Sequence, residues 1–457
     1  MKKSHKLSLL RWLLIILFLF FFSCAGGQEP AEEETEFPDG IESVNQDNVF
    51  VEPNTGMRMI KNEFLVKFVD FIDKEEVDRV LNQVHAKVLG GIKEIEIYHV
   101  RVQDVPENEE IWMTVASLLQ EGMIEFVSPI YQIGPHKIPD SDPIWDIWDT
   151  DNPDGNNWAL ELINAPEGWD YTIGSSDVTI GVIDFGFDAA HEDLIMNIGS
   201  WYDDIDGSSL HIDHGTMVSS IIAAEGNNNI GMTGVMWEAN LLLFECSTWS
   251  HSLFYNILDA AVSGARVINL SAGINWIDDL KRSPDENNVY DHLMIEYFNI
   301  FIDLVLKKIT TSPYDVLLIQ SAGNDHVDAK WNLGSALSEK YPQNYIVVSA
   351  VDKMDQLYER SNYGPFVAVS APGVNVLSGN GEDEYDDSHT GTSCAAPYVT
   401  GLAGLLLSIN PELSASQLYW LIFEGAVEST VMVDGNSEAI RTINIKNSIE
   451  LMINTYF

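Results

Sequence analysis

Cysteine is nearly missing from this chain: its 457 residues hold three, Cys24, Cys246 and Cys394. That excludes a fold stapled by several disulfides. One bridge is arithmetically possible, but Cys246 ends an apolar, strand-like run and Cys394 lies at a small-residue helix start, so two separate thiols are expected. Basic residues are scarce as well, 24 Lys and Arg against 70 Asp and Glu, for a formal net charge of −46. Nucleic-acid binding needs a basic face to meet phosphates, and this surface can hardly supply one. No Gly-x-Gly-x-x-Gly follows the apolar run at 178–183, which argues against a nucleotide-binding doubly wound domain. No histidines are paired at metal-ligand spacing on a helix, and no organic cofactor motif or internal repeat is visible. What remains is an acidic, soluble chain, 46% hydrophobic and long enough for more than one domain.

The N-terminus reads as an export signal. Lys2, Lys3, Lys6 and Arg11 precede an unbroken apolar run at 12–22, too short for a comfortable membrane span, and Ser23-Cys24-Ala25-Gly26-Gly27 follows as at a cleavage site. Cys24 resembles the lipid-modified cysteine of a bacterial lipoprotein, although Phe21 and Phe22 depart from the usual residues before it; an ordinary cleaved signal and an uncleaved anchor are the alternatives. Residues 25–57 begin as an acidic, Pro-containing tether. From 58 to 134 the texture is that of a small α+β unit: strands at 64–69, 95–102 and 124–130, helical spacing at 74–89, and a second helix at about 109–121, the order of a split βαβ, ferredoxin-like sandwich. Residues 135–157, rich in Pro, Asp, Asn and Trp, form a linker. Residues 158–457 form the large domain, where short apolar strands at 178–183, 241–245, 267–270, 316–320 and 346–350 alternate with helical stretches. That alternation predicts an α/β fold, a doubly wound parallel sheet with helices on both faces.

The stretch around Ser393 organises the rest. Gly391-Thr392-Ser393-Cys394-Ala395-Ala396-Pro397 runs into an apolar helix, so the serine hydroxyl would sit over a helix N-terminus that favours developing negative charge. Alone, this is also a plain helix start with Thr392 or Ser393 as N-cap. Upstream, an apolar strand ends on Asp184, and His214 opens a second apolar helix in Asp213-His214-Gly215-Thr216.

The order Asp184, His214, Ser393 is that of the subtilisin triad, and the chain resembles the subtilisin-like serine proteases over about 156–450. Val182-Ile183-Asp184-Phe185-Gly186, His214-Gly215-Thr216, Ala322-Gly323-Asn324, Ala371-Pro372-Gly373 and Gly391-Thr392-Ser393-Cys394-Ala395-Ala396-Pro397 all stand in the family's order. The resemblance implies a serine endopeptidase with Ser393 as nucleophile, His214 as base, Asp184 as its orienter and Asn324 as oxyanion donor; the alternative is an inactive relative that binds peptides. Ser271-Ala272-Gly273 and Ser321-Ala322-Gly323 resemble the segments that flank the P1 pocket and pair with substrate as an extended strand. Residues 58–134 resemble the family's N-terminal propeptide; the resemblance implies a secreted proenzyme with its own inhibitor, with the membrane expected to be contacted only through the N-terminal anchor.

Asn227-Asn228-Asn229-Ile230-Gly231 looks like the family's calcium loop. The resemblance implies a structural Ca2+ held by Asp193, the Asn228 side chain and carbonyls of Gly226, Ile230 and Met232, against a plain Asn-rich turn. Three departures stand near the site: Cys394 for a common methionine, Tyr398 for histidine, and Asp213 for glycine. An inward Asp213 would raise the basicity of His214, whereas a solvated carboxylate is the simpler expectation. A long connection between Gly273 and Ala322, around 275–312, carries an extra apolar helix at about 289–308 and is expected as a surface insertion near the substrate cleft.

Overall fold

The computed structural model describes residues 49–51, 58–69, 72–83, 85–92, 95–102, 123–131, 134–135, 158–203, 213–226, 228, 230–247, 249–274, 276–278 and 280–456. Cys24 with its apolar run, the helix expected at 109–121 and most of the linker lie outside the described residues.

The N-terminal unit is an antiparallel sheet of β1 (Val49–Val51), β2 (Arg58–Phe68), β3 (Ala86–Ile92), β4 (Ile97–Val102) and β5 (Ile124–Tyr131), with helix α1 (Lys74–Gln83) between β2 and β3. The order β1-β2-β4-β3, with β5 also on β2, puts β4 between two strands that α1 connects, the split βαβ expected. Phe64 and Leu65 point to opposite faces and both are buried, so both faces are covered. The helical reading of 74–89 is too long. His85 adopts φ +52°, and the chain turns there into β3, where Val88 and Leu89 serve as strand residues.

A two-residue strand β6 (Gly134–Pro135) follows, and then the large domain. Helices α2 (Trp158–Leu162) and α3 (Ala165–Trp169) lead into β7 (Gly174–Asp184), β8 (Ile198–Tyr202), α4 (His214–Ala223), β9 (Glu238–Glu245), α5 (Ser250–Val262), β10 (Val267–Leu270), β11 (Ala272–Gly273), α6 (Val289–Ile309), β12 (Leu317–Ser321), β13 (Tyr345–Val351) and β14 (Val369–Pro372). The hairpin of β15 (Val376–Asn380) and β16 (Glu384–His389), helices α7 (Thr392–Ile409) and α8 (Ala415–Gly425), the hairpin of β17 (Val427–Val433) and β18 (Asn436–Thr442), and α9 (Ile445–Tyr456) complete it.

Nine strands form one sheet in the order β17-β18-β14-β13-β12-β10-β7-β9-β8, parallel throughout except at β17. Every residue of β10, β12 and β13 is buried, as a sheet covered on both faces requires. Helix α7 is apolar and long enough to cross a bilayer, yet 89% of it is buried inside the fold. It is the central core helix.

The connection after Gly273 is more than a surface insertion. Helix α6 buries Met294, Phe298, Phe301, Ile302 and Val305, and Phe301 stacks on Phe254 of α5 at 4.8 Å while meeting the edge of Phe126 on β5 at 4.8 Å. It therefore helps to seat the N-terminal unit on the large domain.

Candidate active site

Three neighbouring parallel strands end at one crevice. Strand β7 ends on Asp184, β10 is followed by Ser271, and β12 is followed by Ala322, Gly323 and Asn324, at the carboxyl edge where open α/β sheets place their sites. The neighbouring order β12-β10-β7 follows from the crossovers, so residues up to 140 positions apart in sequence meet without any local signal.

Helix α4 begins on His214 because its first amides find acceptors just past Asp184: Gly215 N–H donates to the Phe185 carbonyl at 2.8 Å and Thr216 N–H to the Gly186 carbonyl at 3.2 Å. This brings His214 Nδ1 to 2.5 Å from Asp184 Oδ1. The same oxygen accepts from Phe185 N–H at 2.7 Å, and Asp184 is fully buried. An ionised carboxylate can only accept, so Nδ1 carries the proton and Nε2 is left as the ring's acceptor. Nε2 is buried and has no hydrogen-bond partner. Asp213 is exposed at the helix start and caps nothing, the solvated arrangement.

Ser393 is the second residue of α7, and its hydroxyl donates to the Ser271 carbonyl at 3.4 Å. The two helix starts are packed together, with Cys394 Sγ 3.8 Å from Met217 Sδ, one turn into α4. Cys394 and Cys246 are both buried and neither is in a disulfide, the two separate thiols expected, and burial pushes the Cys394 thiol up, which keeps it unreactive. Pro397 has no N–H for the Ser393 carbonyl, its normal helix partner. Ser271 Oγ fills that vacancy at 3.1 Å, and is itself held by Asn269 Nδ2 at 3.0 Å. Ser393 and Pro397 share one motif and Ser271 lies in another, so this pairing is visible only in the fold.

Asn324 completes the site. Its Oδ1 accepts from Thr392 N–H at 2.8 Å and Thr392 Oγ1 at 3.1 Å, which fixes the amide and turns Nδ2 away. Nδ2 is buried and unpartnered. A Cβ on Gly391, at φ +153°, would come within 3.1 Å of it, so glycine keeps that donor clear. The site thus brings together a serine hydroxyl at a helix start, a buried ring nitrogen without a partner, a buried carboxylate and a buried amide donor without a partner. Strand β6 lies antiparallel on β11, Gly134 opposite Gly273 and Pro135 opposite Ala272, as an extended peptide added to the site's edge.

Comparison with known proteins gives the family. Residues 175–441 match the Subtilase family, and residues 45–129 match the Fervidolysin N-terminal prodomain. The chain belongs to the subtilase family. It is 30% identical to the "Thermophilic serine proteinase" of Bacillus sp. (strain AK1) over 81% of this chain and 84% of that one. It is 31% identical to the "Halolysin-like extracellular serine protease Nep" of Natrialba magadii over 68% of this chain, and there it spans about half of the relative, 53%. Among solved structures, fervidolysin from Fervidobacterium pennivorans, described as a keratinolytic enzyme related to subtilisin, superposes with a TM-score of 0.61 at 20% identity, over 91% of this chain and 65% of that one. This subtilase is a serine endopeptidase with an N-terminal prodomain.

At the expected calcium loop, the two side-chain ligands face protein partners. Asp193 spends both carboxylate oxygens on N–H donors, Asn228 Nδ2 at 2.7 Å and Met232 N–H at 2.6 Å, while Tyr385 OH lies 3.4 Å from Oδ2. Asn228 Oδ1, the proposed ligand, accepts from Ile230 N–H at 2.8 Å. Gly226 packs beneath the Trp237 ring. Donors pointing inward satisfy the carboxylate without an ion, whereas calcium needs oxygen lone pairs pointing inward. Among the described residues no cluster of three His, Cys, Asp or Glu side chains could hold a metal. Three of the other histidines have local partners: His191 accepts from Asp193 N–H at 3.2 Å, His326 pairs with Asp434 at 3.2 Å, and His389 Nδ1 meets Ser378 Oγ at 2.5 Å. His211 lies outside the described residues.

Proposed function

We propose that this subtilase hydrolyses peptide bonds through an acyl-enzyme formed on Ser393. Ser393 Oγ attacks the scissile carbonyl carbon and passes its proton to His214 Nε2, and Asp184 stabilises the imidazolium. The tetrahedral oxyanion receives hydrogen bonds from Asn324 Nδ2 and the Ser393 backbone N–H. Collapse expels the amine, which takes the proton from His214, and water repeats the sequence to release the acid. The observation that carries this reading is Asn324 Nδ2: a buried amide donor that is fixed in place and unspent is costly unless a substrate atom uses it. An inactive peptide-binding relative has no need of that donor or of the free Nε2.

The prodomain acts as an intramolecular inhibitor, supported by β6 lying on the substrate strand β11. We divide the chain into a signal at 1–24, a tether at 25–57, the prodomain at 58–134, a processing linker at 135–157 and the catalytic domain at 158–457. Export follows from the N-terminal signal, and Cys24 anchors the proenzyme to the membrane through lipid. Because the anchor precedes the prodomain and the triad follows the linker, one cut between 134 and 157 separates catalyst from lipid. Fractionating cells that express wild type and Ser393→Ala tests this. The account expects a released catalytic domain in wild type and a full-length, membrane-bound chain in the variant; a full-length, membrane-bound chain in both contradicts it.

A further inference from the structure

The two segments that grip the peptide leave the protection of the sheet just before they do so. Strands β10 and β12 are paired from Val267 opposite Leu317 to Leu270 opposite Gln320, and there the ladder stops. Beyond it no ladder pair joins 271–273 to 321–323, so strand pairing no longer sets their spacing. The side chain of Asn332 joins the two segments. Asn332, fully buried, donates from Nδ2 to the Ser321 carbonyl at 2.9 Å and accepts at Oδ1 from Ile274 N–H at 3.1 Å.

The amide that crosses is itself braced. Asn332 follows the single turn Ala329–Trp331, capped by Asp328, whose carboxylate accepts from Lys330 N–H at 2.9 Å. The Trp331 carbonyl accepts from Trp276 Nε1 at 2.8 Å, and the two indoles meet edge to face at 5.9 Å. Trp276 belongs to the long connection after β11, whose role is unreadable in the sequence. On the other wall, Gly323 at φ +105° sits with its missing Cβ 3.5 Å from Asn332 Cγ and 2.3 Å from Asn362 Nδ2, so only glycine lets this backbone lie on the two amides. Asn362 Nδ2 donates in turn to the Ala322 carbonyl at 2.9 Å.

We propose that Asn332 is a positioning residue for the peptide substrate: its amide sets the width of the slot between Ser271-Ala272-Gly273 and Ser321-Ala322-Gly323, and Trp276 holds that amide in place. This rests on the protease reading above. A peptide that pairs with β11 and reaches toward Ser393 must fit a gap that no ladder bond fixes, and a geometry that loosens there is lost from binding before it is lost from the triad.

The test is steady-state kinetics of the matured Asn332→Ala enzyme on extended peptides, with rates expressed per site titrated by a fluorophosphonate. The expected result is a KM raised on the order of tenfold with a smaller change in kcat per titrated site. Fewer titratable sites with KM unchanged would make Asn332 part of the scaffold only and overturn the proposal. Where Asn332→Ala fails to mature, Trp276→Phe removes the brace and keeps the ring. A raised KM is expected there too, and an unchanged KM overturns it. Wild-type protein that neither labels nor hydrolyses would instead sink the protease reading, a different failure.

Discussion

Asn324 divides its amide between two tasks, and the division explains why a motif residue is also a geometric one. Thr392 holds the oxygen end, and through it Gly323, whose N–H donates to Thr392 Oγ1 at 3.1 Å; the nitrogen end is left for substrate. Asn324→Ala removes the donor while leaving the triad, so kcat should fall on the order of 10² to 10³-fold with KM little changed, a magnitude established on subtilisin itself. A kcat within a fewfold of wild type would show that Asn324 is a turn residue. Asp184, His214, Ser393 and Asn324 were singled out by short motifs, and the fold places them at the end of β7, the start of α4, the start of α7 and just past β12. Thr392, Asn332 and Asn362 were not, since an amide or hydroxyl that bridges two segments leaves no local pattern. At the expected calcium loop the pattern gives residue types but not their orientation: Asn228 turns its amide nitrogen, a donor, toward the Asp193 carboxylate, which accepts.

At the scale of elements, helix α7 carries a built-in gap. Pro397 deprives the Ser393 carbonyl of its helix bond and Ser271 Oγ supplies the replacement. In an inactive Ser393→Ala background, Ser271→Ala should therefore destabilise the fold by about 1–3 kcal/mol, the cost of a buried acceptor left unpaired. The same change made together with Pro397→Ala should cost less, because alanine restores the N–H. Equal costs in both backgrounds, read from denaturant midpoints, would contradict the compensation. The central strands were legible from their apolar runs, whereas 74–89 was not: helical and strand spacing both fit Val88 and Leu89, and the left-handed His85 decides between them. The hairpin of β17 and β18 went unread although Asp434-Gly435, with φ of +50° and +81°, is a strong two-residue turn signal.

At the scale of the whole molecule, prodomain and protease domain share one continuous core, and a pair of histidines lies buried in their contact. His251 on α5 faces His99 on β4 with ring centroids 5.5 Å apart; behind His99 stands Glu63, 2.9 Å from its Nε2, and Arg101 bonds the same carboxylate at 2.7 Å. Burial, and then the neighbouring His99, hold His251 well below the usual 6.5, so it is neutral in the complex. Separation returns it to water and raises its affinity for a proton. Its contribution to the complex is thus present above about pH 6.5 and lost as pH falls, by at most about 1.4 kcal/mol per pH unit for one proton. Co-elution of the cut prodomain with the enzyme should weaken from pH 7.5 to 5, and His251→Gln should flatten that dependence; an identical slope in the variant would contradict it. All of this presumes a working nucleophile. The most direct measurement is mass spectrometry of the purified protein after exposure to a fluorophosphonate. The account predicts one adduct, on the peptide containing Ser393, and none on Ser393→Ala; an unmodified Ser393 in folded wild-type protein freed of its prodomain, or an equal adduct on both proteins, would contradict it.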